Sequence, residues 1–172
     1  MTRHVLSMLV VNHSGVLTRV SGLFARRGYN IDSLSVGTTE DARFSRVTVS
    51  AYGDAGVIEQ IHKQVEKLED VVSVTELKPG DSVCTELVLI KVSAGAGKRS
   101  ELASLSDIFR ADIVDVSKTA LTFEMTGEQS KIAAFIELLE PYGIVEIART
   151  GLTGISRGGR KTGAVDPDIK SV

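Results

Sequence analysis

One order of predicted elements, strand–helix–strand–strand–helix–strand, occurs twice along the chain and restricts the folds open to it. The strands predicted in the first copy are 4–11, 31–38, 46–51 and 71–77. Those of the second copy are 86–92, 112–116, 119–125 and 144–148. The sequence therefore predicts an α+β protein of two tandem ferredoxin-like βαββαβ sandwiches, each an antiparallel sheet with two helices on one face.

Apolar residues at helical spacing predict the helices of both copies. The first helix has one apolar face and a glycine stop, formed by Val16, Val20, Leu23, Phe24 and Gly28. The second helix begins at the capping residue Asp54, and the last one ends at Pro141. These signals place every helix between two predicted strands.

The two copies are separated by Lys78-Pro79-Gly80-Asp81, which is typical of a linker. We predict an N-terminal domain at 1–78, a C-terminal domain at 79–158 and a mobile tail at 159–172, where few apolar residues remain. Each domain is close to the lower size limit for a self-sufficient core. Packing or oligomerisation is therefore expected to assist both.

Composition argues against several classes of protein. The net charge of −2, from 20 basic and 22 acidic residues, gives no electrostatic reason to expect nucleic acid or an anionic membrane as a partner. Cys84 is the only cysteine, which rules out a disulfide within the chain and fits a reducing compartment. No secretory signal and no membrane-length apolar run is evident. We expect a cytoplasmic protein.

Motifs for catalysis are not found. His4, His13 and His62 lack metal-ligand spacing, and Cys84 has no histidine near it in sequence. The glycine-rich loop 94–100 fails as a phosphate loop because Arg99 occupies the position of the magnesium-binding Ser or Thr. With 5% aromatic residues and no Trp, the sheet lacks the stacking residues of an RNA-binding fold. Acylphosphatase-like catalysis remains an alternative that the sequence does not distinguish.

The segment from Asn12 to Asn30 joins a strand, a polar turn and a helix N-terminus. A helix N-terminus offers unpaired N–H groups and partial positive charge, which suit a carboxylate. Gly15 would allow close approach of a ligand, and Asn12 and Asn30 each offer a donor and an acceptor. The alternative is that Asn12 and Ser14 cap the helix and Asn30 tolerates a turn. The residues alone leave both open.

Residues 10–20, Val-Val-Asn-His-Ser-Gly-Val-Leu-Thr-Arg-Val, resemble the opening of an ACT domain. Residues 22–36 resemble the signature of one family, the small regulatory subunit of acetolactate synthase (acetohydroxyacid synthase). Further similar stretches are 45–48, 64–68, 71–72, 86–92, 108–111, 113–116, 147–151 and 155–158. The resemblance extends to about residue 159 and is looser in the second half.

The resemblance implies a protein without catalysis of its own. It would activate a large catalytic subunit that carries thiamine diphosphate, magnesium and FAD, and would confer feedback inhibition by valine. Leucine and isoleucine would bind too, but less well than valine. A methylene group contributes only ~1–3 kcal/mol to selectivity, so a site for valine does not exclude them. The alternative is a free-standing ACT-type sensor that regulates another enzyme.

The resemblance also implies a homodimer in which ACT domains pair side by side and valine lies between two chains. One chain would supply Asn12, Gly15, Val16 and Leu17, and the other Asn30 and Ile31. Gly37 matches a position where the family has a small residue near the site. Arg26 and Arg27 are expected to complement the helix dipole, or alternatively to contact the catalytic subunit.

Overall fold

The structure is a computed structural model that describes residues 2–163. The elements of the first half are β1 (Thr2–Val11), α1 (Val16–Arg26), β2 (Ile31–Thr38), β3 (Phe44–Gly53), α2 (Ala55–Val65) and β4 (Val71–Glu76). Those that follow are β5 (Ser82–Ser93), α3 (Arg99–Phe109), β6 (Asp112–Val116), β7 (Ala120–Gly127), α4 (Gln129–Leu139), β8 (Ile144–Arg149) and β9 (Thr153–Ser156). Each helix of residues 2–163 is too short or too polar to cross a membrane.

Two antiparallel sheets confirm the predicted fold class. The first has the strand order β2-β3-β1-β4 and the second the order β6-β7-β5-β8, with β9 added beside β5. In both sheets the first and third strands of the copy lie in the centre, which is the order of a ferredoxin-like sandwich. The chain is therefore α+β with two such sandwiches in tandem.

The core of the first sandwich lies between its sheet and the helices α1 and α2. Alternate residues of the central strands point into it, because side chains alternate across a strand. The predicted face of α1 is confirmed, since its buried residues are Val16, Val20, Leu23 and Phe24. The ring of Phe24 is fully buried and meets Tyr29 edge-on, with ring centroids 6.5 Å apart.

The core of the second sandwich is built around three phenylalanines. Phe135 of α4 lies 5.0 Å from the ring of Phe109 and 5.7 Å from that of Phe123, measured between centroids. Phe123 and Phe135 are fully buried. The same cluster contains Ile90 from the central strand and Leu102 from α3. This unit thus has a core of its own.

The division of the chain into units differs from the predicted boundaries at residues 78 and 158. The first unit contains the chain up to Cys84 and again from Leu152, and the second unit is Thr85–Gly151. The reason is a contact distant in sequence, since Leu152 is buried with Val5 and Leu77. Local composition does not reveal such a contact. Of the predicted mobile tail, residues 159–163 belong to this first unit, and 164–172 lie outside the described residues.

Residues 152–163, here named the C-terminal strap, lie over the sheet face of the first unit that faces away from the helices. The hydroxyl of Ser35 donates to the Leu152 carbonyl at 2.8 Å, and Arg46 donates to the Thr162 carbonyl at 3.0 Å. Lys161 pairs with Glu40 at 2.8 Å and holds the pKa of that carboxyl below its usual range. Polar residues of this face such as Thr48 and Ser50 are therefore buried.

Candidate ligand site

The turn between β1 and α1 is anchored to two other segments of the first unit. The backbone N–H of Val11 donates to the Asp70 carbonyl at 2.9 Å, and that of Asn12 donates to the Arg43 carbonyl at 2.7 Å. The side-chain amide of Asn12 donates to the Ala42 carbonyl at 2.9 Å. The side-chain nitrogen of Asn12 is thus already bonded. Its side-chain oxygen has no partner among residues 2–163 and can accept a hydrogen bond from a ligand.

The N-terminus of α1 has no side-chain cap, so the capping alternative is wrong. The N-cap residue is Gly15, in the left-handed region at φ 91°, and the first turn contains no acidic residue. Helix α2 differs, because its N-cap Asp54 accepts from the N–H of Val57 at 2.9 Å. The first N–H groups of α1 are therefore left for solvent or a ligand.

A buried carboxylate, that of Asp70, joins the turn to the first turns of α1. One oxygen lies 2.8 Å from Nε2 of His13, and the other accepts from Arg19 at 2.5 Å. A second guanidinium nitrogen of Arg19 lies 3.8 Å from where a Cβ on Gly15 would be. Asp70 offsets the positive charge of Arg19, which would otherwise oppose the positive end of the helix dipole. The sequence showed only that His13 lacks metal-ligand spacing, because Asp70 lies far from it along the chain.

The predicted apolar residues of the site differ in accessibility. Val16 is 4% exposed and its side chain belongs to the core, so it can offer a ligand only its backbone N–H. Leu17 is 42% exposed and is free to line a surface site. Ile31 is half-buried at the edge of the core. Leu17 and Ile31 are therefore the accessible side chains that could form an apolar wall for a ligand.

The two halves of the predicted site lie far apart within one chain. Helix α1 separates Gly15 from Asn30, and its 11 residues span about 16 Å. In the sheet, Val11 lies opposite Phe44 and Ile31 opposite Ala51, which puts the two ends of the site about 23 Å apart along β3. One chain therefore does not bring Asn12 and Gly15 to Asn30 and Ile31.

The remaining positions discussed from the sequence lie outside this turn. Arg27 donates to Gln64 at 3.2 Å, and its neighbour Arg26 lies in the last turn of α1, where a cation complements the dipole. Gly37 has open space where a side chain would be. Half-buried Cys84 packs beside Leu152. Within residues 2–163, no three His, Cys, Asp or Glu side chains are placed to hold a metal ion.

The turn that receives the Asn12 amide is fixed by an exposed ion pair. The Arg43 guanidinium donates to the Asp41 carboxylate at 2.7 Å and lowers the pKa of Asp41 to about 2. Its stabilising effect is expected to be complete above the ordinary pKa of 3.8 and to be lost as pH falls through about 2. A carboxyl-detected NMR titration should show this midpoint, and Arg43→Ala should raise it. An unchanged midpoint in that variant would contradict the assigned cause.

Comparison with known proteins places both units in one family. A family model described as "AHAS small subunit-like ACT domain" matches residues 6–73, and one described as "Small subunit of acetolactate synthase" matches 85–158. The chain is 51% identical over 158 residues to a probable acetolactate synthase small subunit of Methanothermobacter thermautotrophicus, covering 91% of this chain and 94% of the relative. It is 43% identical to the acetolactate synthase small subunit of Bacillus subtilis, covering 99% of each.

A solved structure agrees with these sequence matches. The crystal structure of the acetolactate synthase small subunit from Thermotoga maritima superposes with a TM-score of 0.85 at 43% identity, covering 93% of this chain and 100% of that one. The structural similarity therefore extends over most of the chain. The chain belongs to the acetolactate synthase small-subunit family.

Proposed function

We propose that the chain activates the catalytic subunit of acetolactate synthase and makes it sensitive to inhibition by valine. The observation that carries the proposal is an ACT-type first unit whose α1 N-terminus is uncapped and accessible. The family membership supports a regulatory subunit, since its relatives are named small subunits of that enzyme. Thiamine diphosphate, magnesium and FAD would be bound by the catalytic partner.

The chemistry of the turn suits an amino acid. Backbone N–H groups at the start of α1 would hold the carboxylate, with the partial positive charge of the helix behind them. The free side-chain oxygen of Asn12 would accept from the ammonium group. Leu17 and Ile31 would contact the isopropyl group, so valine is expected to bind more tightly than leucine or isoleucine.

A homodimer would complete this site. Strand β2 is an edge of the first sheet, and its end at Thr38 pairs with Ser45, which in turn lies opposite Val10. Antiparallel pairing of two β2 edges about a two-fold axis would bring Ile31 of one chain to the Thr38 end of the other. The Asn12 turn lies at that same end. The half-exposed Val36 and the open space at Gly37 leave the edge accessible for such pairing.

Reconstitution with the catalytic subunit tests the proposal. The purified chain alone should form no acetolactate from pyruvate, and adding it to the catalytic subunit should raise activity that valine then lowers. Valine at one hundred times its Kd should stabilise the chain by about 2.7 kcal/mol, a Tm increase of roughly 5–10 °C. The matched variant Asn12→Ala should lose most of this increase.

Two outcomes would decide against parts of the proposal. If valine, leucine and isoleucine all leave Tm and holoenzyme activity unchanged at millimolar concentration, the ligand assignment is wrong. If the chain fails to retain the catalytic subunit in a pull-down, yet valine still raises its Tm, the alternative of a free-standing ACT-type sensor is favoured.

A further inference from the structure

A directed chain of hydrogen bonds links the strap to β2. Ser50 donates its one hydroxyl hydrogen to the Asp32 carboxylate at 3.1 Å. Its oxygen lies 2.7 Å from that of Ser33, so Ser33 must be the donor in this second bond. The oxygen of Ser33 then accepts the backbone N–H of Leu152 at 3.3 Å. The chain thus begins at Leu152 and ends on the Asp32 charge.

A second hydroxyl of β2 holds the same strap residue from its other side. Ser35 donates to the Leu152 carbonyl at 2.8 Å, and because its hydrogen is used there, Thr153 is the donor in their 3.0 Å contact. Both backbone groups of Leu152 are therefore bonded to side chains of β2. Leu152 itself is 2% exposed, so no water replaces these partners easily.

The Asp32 end of this series of hydrogen bonds lies beside the proposed ligand residues. Asp32 follows Ile31 directly, and the pairing of β2 with β3 has a register irregularity between Ile31 and Ser33. Such an irregularity leaves one residue outside the regular ladder and is a place where a strand can adjust. A ligand that orders Asn30 and Ile31 would therefore act directly on Asp32 and Ser33, the residues of β2 in this series of hydrogen bonds.

We propose that these hydroxyls couple the amino-acid site to the strap, so that ligand bound at Asn30 and Ile31 strengthens the hold of β2 on Leu152. This inference rests on the proposed function. The strap follows Gly151, the last residue of the second unit, by a peptide bond. The ligand state of the first unit is then transmitted to the second through Leu152 and the residues that bind it. The element that changes is the start of β2, which holds Leu152 either more or less firmly. The ligand's higher affinity for the first of these two states supplies the coupling.

Amide hydrogen exchange in the full-length chain tests the coupling directly. Saturating valine should slow exchange of the Leu152 amide, and Ser33→Ala should remove this slowing while valine still raises Tm. In the reconstituted enzyme, Ser33→Ala should raise the valine concentration for half-inhibition at least about fivefold, the lower end of usual allosteric couplings. The matched control is Ser104→Ala, which removes a hydroxyl bonded only within α3.

The outcomes separate this inference from the proposed function. A wild-type chain for which valine changes neither Tm nor the activity of the reconstituted enzyme contradicts the function itself. Valine binding with an unchanged or faster Leu152 amide overturns the coupling, as does Ser33→Ala inhibited like wild type. If Ser33→Ala does not fold, Ser35→Ala tests the coupling through valine inhibition, which should weaken, because this variant loses the bond to the Leu152 carbonyl and the contact with Thr153.

Discussion

Gly15→Asp is expected to abolish valine inhibition of the reconstituted enzyme while activation by this chain survives. The new carboxylate would stand where the ligand's carboxylate is proposed to bind. Two carboxylates about 4 Å apart repel by about 1 kcal/mol in bulk water and by about 4 kcal/mol at the effective dielectric near a protein surface. The concentration of valine for half-inhibition should therefore rise by roughly fivefold to a thousandfold.

The structure adds two effects at this position. Gly15 has a φ of 91°, which costs a residue with a side chain about 1–2 kcal/mol. The nearby Arg19 nitrogen lies 3.8 Å from the new Cβ, within reach of an aspartate carboxylate. Such an ion pair would place a negative charge at the helix N-terminus in the absence of ligand. The strain lowers the stability of the chain, whereas the new charge acts on ligand binding.

Two control variants separate charge from backbone strain. Gly15→Ala carries the strain without the charge, so it should lower Tm but keep valine inhibition. Gly80→Asp carries both at φ 87° in the linker segment, with open space around it, and should leave inhibition unchanged. Valine inhibition that persists in Gly15→Asp at the wild-type concentration would show that the ligand does not bind at this helix end.

The fold was predictable because its signals are local. Alternation and helical spacing within short windows identify β3 and the face of α1, and the order of elements then limits the topology. Local patterns do not locate the ends of the strands as well. Strand β5 begins at Ser82, directly after the predicted linker, because its first residues lie beside Gly154 of the strap. A pairing partner 70 residues away in sequence leaves no mark on local composition.

The candidate site was predictable only in part for the same reason. The exposed turn with Gly15 follows from the residues themselves, but the carboxylate that anchors it, Asp70, lies 51 residues beyond Arg19. The burial of Val16 follows from the helical face that the sequence already showed, whereas the family resemblance places this residue at the ligand. The position of Val16 at the start of α1, with its side chain in the core and its backbone N–H at the helix end, is compatible with both.

Phe135→Ala is expected to unfold the second unit selectively. Removing a fully buried phenylalanine costs about 3–5 kcal/mol, which includes the loss of its ring contacts with Phe109 and Phe123. Because whole domains are stable by only about 5–15 kcal/mol, this unit should become marginal at 37 °C. Phe24→Ala should have the equivalent effect on the first unit, where Phe24 fills the core behind α1.

The pair of variants assigns the proposed activities to the units. Phe135→Ala should retain the valine-induced chemical shift changes in β2 and lose its share of activation, whereas Phe24→Ala should lose the valine response. Urea denaturation followed by NMR signals of each unit would measure both effects. Leu138→Ala is the matched control, because this half-exposed residue of α4 should change stability by less than about 1 kcal/mol. If Phe135→Ala abolished valine binding as fully as Phe24→Ala, the site would not belong to the first unit alone.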